Sequence, residues 1–218
     1  MTDPKYRHYI LIIDRSGSMH SIKDDAEGGI NQFVKDHATL PGKATLSLYQ
    51  FDTVHDTVCS FMPLGQVLPY TLVPRLGTAL LDGVGFAITS EGVKLAKMPE
   101  DARPGKIVVV VATDGGENAS HEYSNAQIQD MTAEQQSKYG WKFTYLGANQ
   151  DAFAQAGGMG VSAQGTLNYA ASDVGTRSAY AAASASVSRY MTNEATDLSF
   201  TDAERAAAAG DVGDPDGA

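Results

Sequence analysis

The chain is short of cysteine, of basic residues and of long apolar runs, and each shortage closes a class of function. Cys59 is the only cysteine among 218 residues, so no intrachain disulfide can form. A lone thiol fits a reducing compartment. The five histidines are scattered and, with that single Cys, give no zinc-ligand spacing. Against 26 acidic residues stand 16 basic ones, a formal charge of −10. A chain this acidic carries no electrostatic footprint for nucleic acid or an anionic membrane. Its acidity reads as solubility before it reads as an acidic interaction surface. The longest apolar runs, Tyr9 to Ile13 and Ile107 to Ala112, fall far short of the ~20 residues that span a bilayer. The polar opening Met-Thr-Asp-Pro-Lys-Tyr-Arg-His is not a signal peptide, so a soluble, cytoplasmic protein is expected.

What is present is enough for one core. A chain of this length buries roughly 70% of its unfolded surface without staples. Residues 1–200 are expected to form a single domain. Residues 201–218 hold few large apolar groups and are expected to be a mobile tail.

The apolar pattern alternates between two periods. Tyr6 to Asp14 and Lys106 to Thr113 each hold an unbroken apolar run, the mark of strands covered on both faces in a parallel sheet. Ala44 to Phe51 and Val54 to Met62 flank the short turn at Asp52-Thr53, and strands joined so closely must be antiparallel. Trp141 to Leu146, closing at Gly147-Ala148-Asn149, and a short Thr166 to Tyr169 complete the strands. Between them helical spacing predicts a helix capped by Ser21 and running to Thr39, with Gly28 and Gly29 either packing closely on the sheet or simply tolerated. A second runs from Thr78 to about Met98, broken in two by Gly83, Gly85 and Gly92. Others cover Tyr123 to Tyr139, a short stretch from Asp151 to Ala156 stopped by Gly157-Gly158-Met159-Gly160, and an alanine-rich Ala179 to Met191. The expected fold is α/β and doubly wound: a mostly parallel central sheet with one antiparallel edge hairpin and helices on both faces.

Both fully apolar strands stop at an aspartate, Asp14 and Asp114, and Ser16 and Ser18 follow the first at alternate positions. In such sheets ligands bind beyond the carboxyl ends of the strands. If the two strands are neighbours, Asp14, Ser16, Ser18, Thr78 and Asp114 converge. Carboxylates with hydroxyls are oxygen donors, suited to a hard cation such as Mg2+. Taken singly, each serine is better explained by a turn or helix cap. The set of five is not.

Three stretches, Asp14-Arg15-Ser16-Gly17-Ser18-Met19, Leu76-Gly77-Thr78-Ala79-Leu80 and Ala112-Thr113-Asp114-Gly115-Gly116-Glu117-Asn118, together resemble the von Willebrand factor type A (vWA) family and its metal-ion-dependent adhesion site (MIDAS). The resemblance covers residues 6 to about 150. It implies Mg2+ or Mn2+ held by the hydroxyls of Ser16, Ser18 and Thr78, with Asp14 and Asp114 acting directly or through water. It also implies a partner protein that presents an Asp or Glu to the metal. Such a module is expected within an intracellular bacterial or phage assembly, with neither nucleic acid nor membrane as partner and no catalytic role. Two other readings stay open: an assembly protein with an incidental metal, and a metal-dependent hydrolase or phosphatase. The last lacks a second acid two positions after Asp14, where Ser16 stands.

Around the site, Asp52 is read as a second acid behind it or as a solvated turn residue. Arg15 is read as a source of positive field or as half of a surface salt bridge. Glu117 and Asn118 are read as rim or as solvent-exposed loop. His20 and His121 are expected at the surface, and Cys59 as a buried small apolar residue.

Overall fold

The computed structural model describes residues 2–148 and 151–210. Six strands form one sheet in the order β3-β2-β1-β4-β5-β6: β1 (Asp3–Asp14), β2 (Lys43–Phe51), β3 (His55–Pro63), β4 (Pro104–Thr113), β5 (Lys142–Ala148) and β6 (Thr166–Tyr169). All neighbours are parallel except β2 and β3. The expected fold class is therefore the observed one. Asn149, expected to close β5, lies outside the described residues.

Chain order reverses at β1. The chain steps outward through β2 to β3, then crosses back to β4 on the other side of β1. With right-handed crossovers this puts the crossover helix before the reversal on one face and those after it on the other. The helices are α1 (Lys23–Ala38), α2 (Leu80–Lys97), α3 (Asn125–Tyr139), α4 (Ala152–Gly158), α5 (Asp173–Met191) and α6 (Asp202–Ala208). Tyr9, Leu11 and Ile13 of β1 pack in one core with apolar residues of α1, α5 and α6. Ile10 and Ile12 pack in the other with α2, α3 and α4. The period-2 alternation of a strand thus divides one apolar run between two cores.

Several local expectations change. The first helix does not begin at Ser21: a 3-10 turn over Gly17–Ile22 precedes α1, and the Ser21 hydroxyl donates to the Ser18 carbonyl at 3.2 Å instead of capping. Helix α2 is continuous and starts two residues after Thr78. Its glycines do not break it because two are packing devices: a Cβ at Gly83 would fall 2.7 Å from Phe51 Cγ, and one at Gly85 2.6 Å from Tyr123 Cδ2. Gly29 admits Tyr180 of α5 in the same way, at 2.6 Å, whereas Gly28 faces open space.

The expected tail begins as helix α6. Thr201 and Glu204 form a capping box at its start. Glu204 pairs with Arg189 of α5 at 2.7 and 3.0 Å, Ala208 is buried, and Arg205 donates to the carbonyls of Ala163, Gln164 and Thr166 beside β6. Ionic and backbone contacts, with Leu198 and Phe200 buried just before the helix, hold a segment that its own apolar content would not. Residues 211–218 of the expected tail lie outside the described residues.

Candidate metal centre

Strands β1 and β4 are hydrogen-bonded neighbours at the sheet centre, with Ile13 beside Ala112. Their carboxyl ends meet where the strand order reverses, the position at which doubly wound sheets open a crevice for ligands. Asp14 ends β1 there, and Asp114 follows β4 by one residue. The convergence depends on this adjacency.

Asp14 is wholly buried. Its Oδ1 accepts the Ser16 backbone N–H at 2.6 Å and its Oδ2 the Thr113 hydroxyl at 2.5 Å. These bonds fix the carboxylate and turn the chain so that Ser16 and Ser18 point the same way. Their hydroxyl oxygens lie 3.0 Å apart, and Ser18 Oγ donates to Asp114 Oδ1 at 2.6 Å. Thr78 reaches the same place from the loop before α2. A Cβ added at Gly115 would fall 3.3 Å from Thr78 Oγ1 and 3.4 Å from Ser18 Oγ. Glycine at 115 therefore leaves both hydroxyls clear of a side chain. All five residues marked in the sequence are brought to one spot; Ser18, the exposed one, opens it to solvent.

The electrostatics of this pocket are unbalanced. Burial pushes the Asp14 carboxyl up to about 6, against the bonds from Thr113 and Ser16 that favour its ionised form, and nearby Asp114 adds to the rise. Burial raises Asp114 as well, opposed by the Ser18 hydroxyl. Among the described residues no ion pair engages either carboxylate. Two buried carboxylates lacking a counter-charge are costly, and a bound cation removes that cost. The described residues hold no group of three or more His, Cys, Asp or Glu side chains able to take a metal. The donor set here has two carboxylates and three hydroxyls, all oxygen, which fits a hard divalent cation.

The surrounding residues are more committed than their sequence suggests. Asp52 is fully buried, not a solvated turn residue; its Oδ2 takes Arg15 Nε at 2.8 Å and Arg75 Nε at 2.6 Å. Arg15, also buried, pairs in addition with Asp56, so its charge is directed away from the metal residues. Glu117 and Asn118 are structural. Glu117 accepts the N–H groups of Leu81, Ala119 and Ser120 at 3.0, 2.9 and 2.7 Å, and Asn118 Oδ1 accepts that of Thr78 at 2.9 Å. Asp82 returns the clamp, accepting the N–H groups of His121, Glu122 and Tyr123 at 2.7, 2.9 and 2.9 Å. Together they bind the Asp114 loop to the start of α2 and to Thr78 just before it. Asp82 was not marked in the sequence; an acid in a helix's first turn signals only favourable dipole placement. His20 and His121 are exposed as expected, and Cys59 is half-buried in β3.

No family model matches the sequence, and no curated protein does either. Solved structures do match. The vWF domain of the type V pili tip protein Mfa5 from Porphyromonas gingivalis aligns at a TM-score of 0.60 and 11% identity, over 86% of this chain and 97% of that one. Proximal thread matrix protein 1 from the mussel byssus aligns at 0.57 and 15%, over 82% of this chain and 47% of that one. The fold is that of a von Willebrand factor type A domain. A von Willebrand factor type A protein from Catenulispora acidiphila aligns at 0.54 and 13% identity, over 84% of this chain and 42% of its own. The mussel protein was also solved with a zinc-occupied MIDAS motif, at a TM-score of 0.52 and 16% identity, over 87% of this chain and 45% of that one. The chain thus spans less than half of the mussel protein. On this vWA fold the five residues stand at the loops of the β1–β4 crevice.

Proposed function

We propose that this chain is a divalent-cation-dependent protein-interaction module. Ser16, Ser18 and Thr78 would hold Mg2+ or Mn2+ through their hydroxyls, and Asp14 and Asp114 through their carboxylates, directly or through water. A bound cation supplies a positive centre with a coordination position for an anionic oxygen, which an Asp or Glu of a partner protein fills. The observation that carries this reading is the meeting of two unpaired buried carboxylates with Ser16, Ser18 and Thr78. The set would still be short of full coordination, since magnesium sites commonly retain exchangeable ligands.

The reading is a binding site and not a catalytic one. Hydrolysis needs a base or nucleophile aimed at the metal, and His20 and His121 face solvent. The zinc in the mussel protein's MIDAS supports a divalent ion at this kind of site. A setting inside a bacterial or phage assembly is part of the proposal; among the described residues no helix is long and apolar enough to cross a membrane.

The test is thermal unfolding in EDTA and then across a Mg2+ or Mn2+ titration, for wild type and Ser16→Ala/Ser18→Ala. A metal that binds only the folded state raises the midpoint with concentration, by RT ln(1 + [L]/Kd) in free energy. The rise is expected in wild type and not in the double variant. Equal behaviour of the two proteins refutes the site.

A further inference from the structure

Leu76 joins an unusual backbone to an exposed apolar side chain. Its φ is +59°, the left-handed region that glycine and asparagine enter readily and a leucine does not. Its side chain is also 63% exposed, so no core packing accounts for a large apolar group there. The backbone around it is held from both sides. Its carbonyl accepts the Gly17 N–H at 3.0 Å, and the preceding Arg75 N–H donates to the Arg15 carbonyl at 2.7 Å. A Cβ at the following Gly77 would lie 3.1 Å from Asn118 Oδ1. The loops that carry Ser16, Ser18, Thr78 and Asp114 therefore fix residue 76 between them. Strained residues persist where the surroundings over-determine them, and they cluster at functional sites.

Two more exposed apolar residues are Val54, in the β2–β3 turn, at 48%, and Val73, three residues before Leu76 in the same loop, at 60%. Val54 follows Asp52, whose N–H bonds to the Val54 carbonyl at 2.9 Å, and Thr53 lies against Gly77. The loop that carries Thr78 thus offers exposed apolar surface at Leu76 and Val73 beside the half-exposed Arg75, in a chain whose formal charge is −10. A run of acids on a partner would meet repulsion from that charge, whereas a single acid among apolar neighbours would not.

We infer that Leu76 is a specificity contact of the metal-bearing face, and that the partner segment it selects carries an isolated Asp or Glu flanked by large apolar side chains. The inference rests on the metal-site reading above. The acid goes to the cation and the flanking side chain covers Leu76. A rigid backbone presents that leucine without an ordering cost at binding.

The experiment uses three short synthetic peptides as probes: Asp flanked by leucines, Asp flanked by serines, and Asp within a run of aspartates. Affinity is read by fluorescence polarisation in Mg2+ and in EDTA, for wild type and Leu76→Asn. Asparagine keeps the left-handed backbone and removes the apolar contact. In Mg2+, wild type is expected to bind the leucine-flanked peptide about tenfold tighter than the other two, the scale of partly burying an apolar side chain. Leu76→Asn is expected to lose that preference while its midpoint rises with Mg2+ as in wild type. Equal affinities in wild type, a preference that survives in Leu76→Asn, or a magnesium-induced rise with no selective peptide binding each overturn the inference and leave the metal site standing. Loss of the magnesium-induced rise together with magnesium-independent binding overturns both.

Discussion

Replacing Asp14 by asparagine should stabilise the protein without metal and destabilise it, relative to wild type, with metal. The Asp14 carboxyl is wholly buried and titrates at about 6 instead of 3.8. Because the folded value is raised, the fold favours the protonated form. The associated stability is complete below 3.8 and is lost as pH rises through 6. At about 1.36 kcal/mol per pH unit, a gap of about 2.2 amounts to ~3 kcal/mol at neutral pH. The substituted amide carries no charge. Its carbonyl keeps the Ser16 N–H, and the Thr113 hydroxyl, whose single proton can turn to the Gly115 carbonyl at 3.0 Å, loses Asp14 as acceptor at about 1 kcal/mol. The net gain in EDTA is therefore about 1–2 kcal/mol, roughly 2–8 °C for a domain this size. In Mg2+ at about 100 times Kd, wild type instead gains about 2.7 kcal/mol and the variant little, so the order inverts. Circular dichroism melts at pH 7.5 in the two buffers measure this. A variant less stable in EDTA, or an equal magnesium response in both proteins, refutes the reasoning.

Other consequences can be measured separately. Gly29→Ala sets a Cβ 2.6 Å from Tyr180 Cβ and should cost about 1–3 kcal/mol in urea unfolding, while Gly28→Ala, in open space, should stabilise by about 0.5–1 kcal/mol. His37, buried beside Tyr9 and Phe33, titrates at about 4 instead of 6.5 because burial disfavours its charge. Its depressed value means stability is complete above 6.5 and falls by about 3 kcal/mol as pH drops through 4; His37→Phe should flatten that window in a pH series of denaturation midpoints. Glu91 is fully buried against His8 at 3.0 Å and Lys94 at 3.5 Å, with the Tyr49 hydroxyl also donating to it. Glu91→Ala, which takes the carboxylate away from the buried His8 ring and Tyr49 hydroxyl, should cost about 3–5 kcal/mol by urea unfolding. Glu117→Ala releases three backbone N–H groups between the Asp114 loop and α2 and should weaken Mg2+ binding about tenfold by calorimetric titration.

The centre of the fold was legible because burial on both faces writes itself into composition. Ile10 to Ile13 and Val108 to Val111 could be nothing but covered strands, and their ends marked Asp14 and Asp114. The short turn at Asp52-Thr53 forced an antiparallel pair, and β6 was found over Thr166–Tyr169 as expected. Elsewhere the signal was local and the cause was not. Gly83 and Gly92 look alike in sequence, yet Phe51 sits on the first and nothing lies near the second. Asp52 looks like a turn residue, and only the positions of Arg15 and Arg75 make it a buried ion-pair centre. Helix α6 has no large apolar side chain, and its Glu204 depends for a partner on Arg189 of the preceding helix, a contact that no pattern within α6 announces.

What the sequence determined by itself was periodicity and chemistry: which segments are strands or helices, and which side chains offer oxygen to a cation. These follow from neighbours along the chain, where hydrophobic spacing and donor type are direct properties of the residues. The tertiary structure decided adjacency. It placed β1 beside β4, bringing Asp14 and Ser18 to Asp114 across 96 residues of separation between Ser18 and Asp114. It locked Asp82 and Glu117 into one clamp and gave Leu76 its left-handed backbone. Strand order and loop contacts arise from packing two apolar faces at once, a property of the whole chain that no short window of sequence contains.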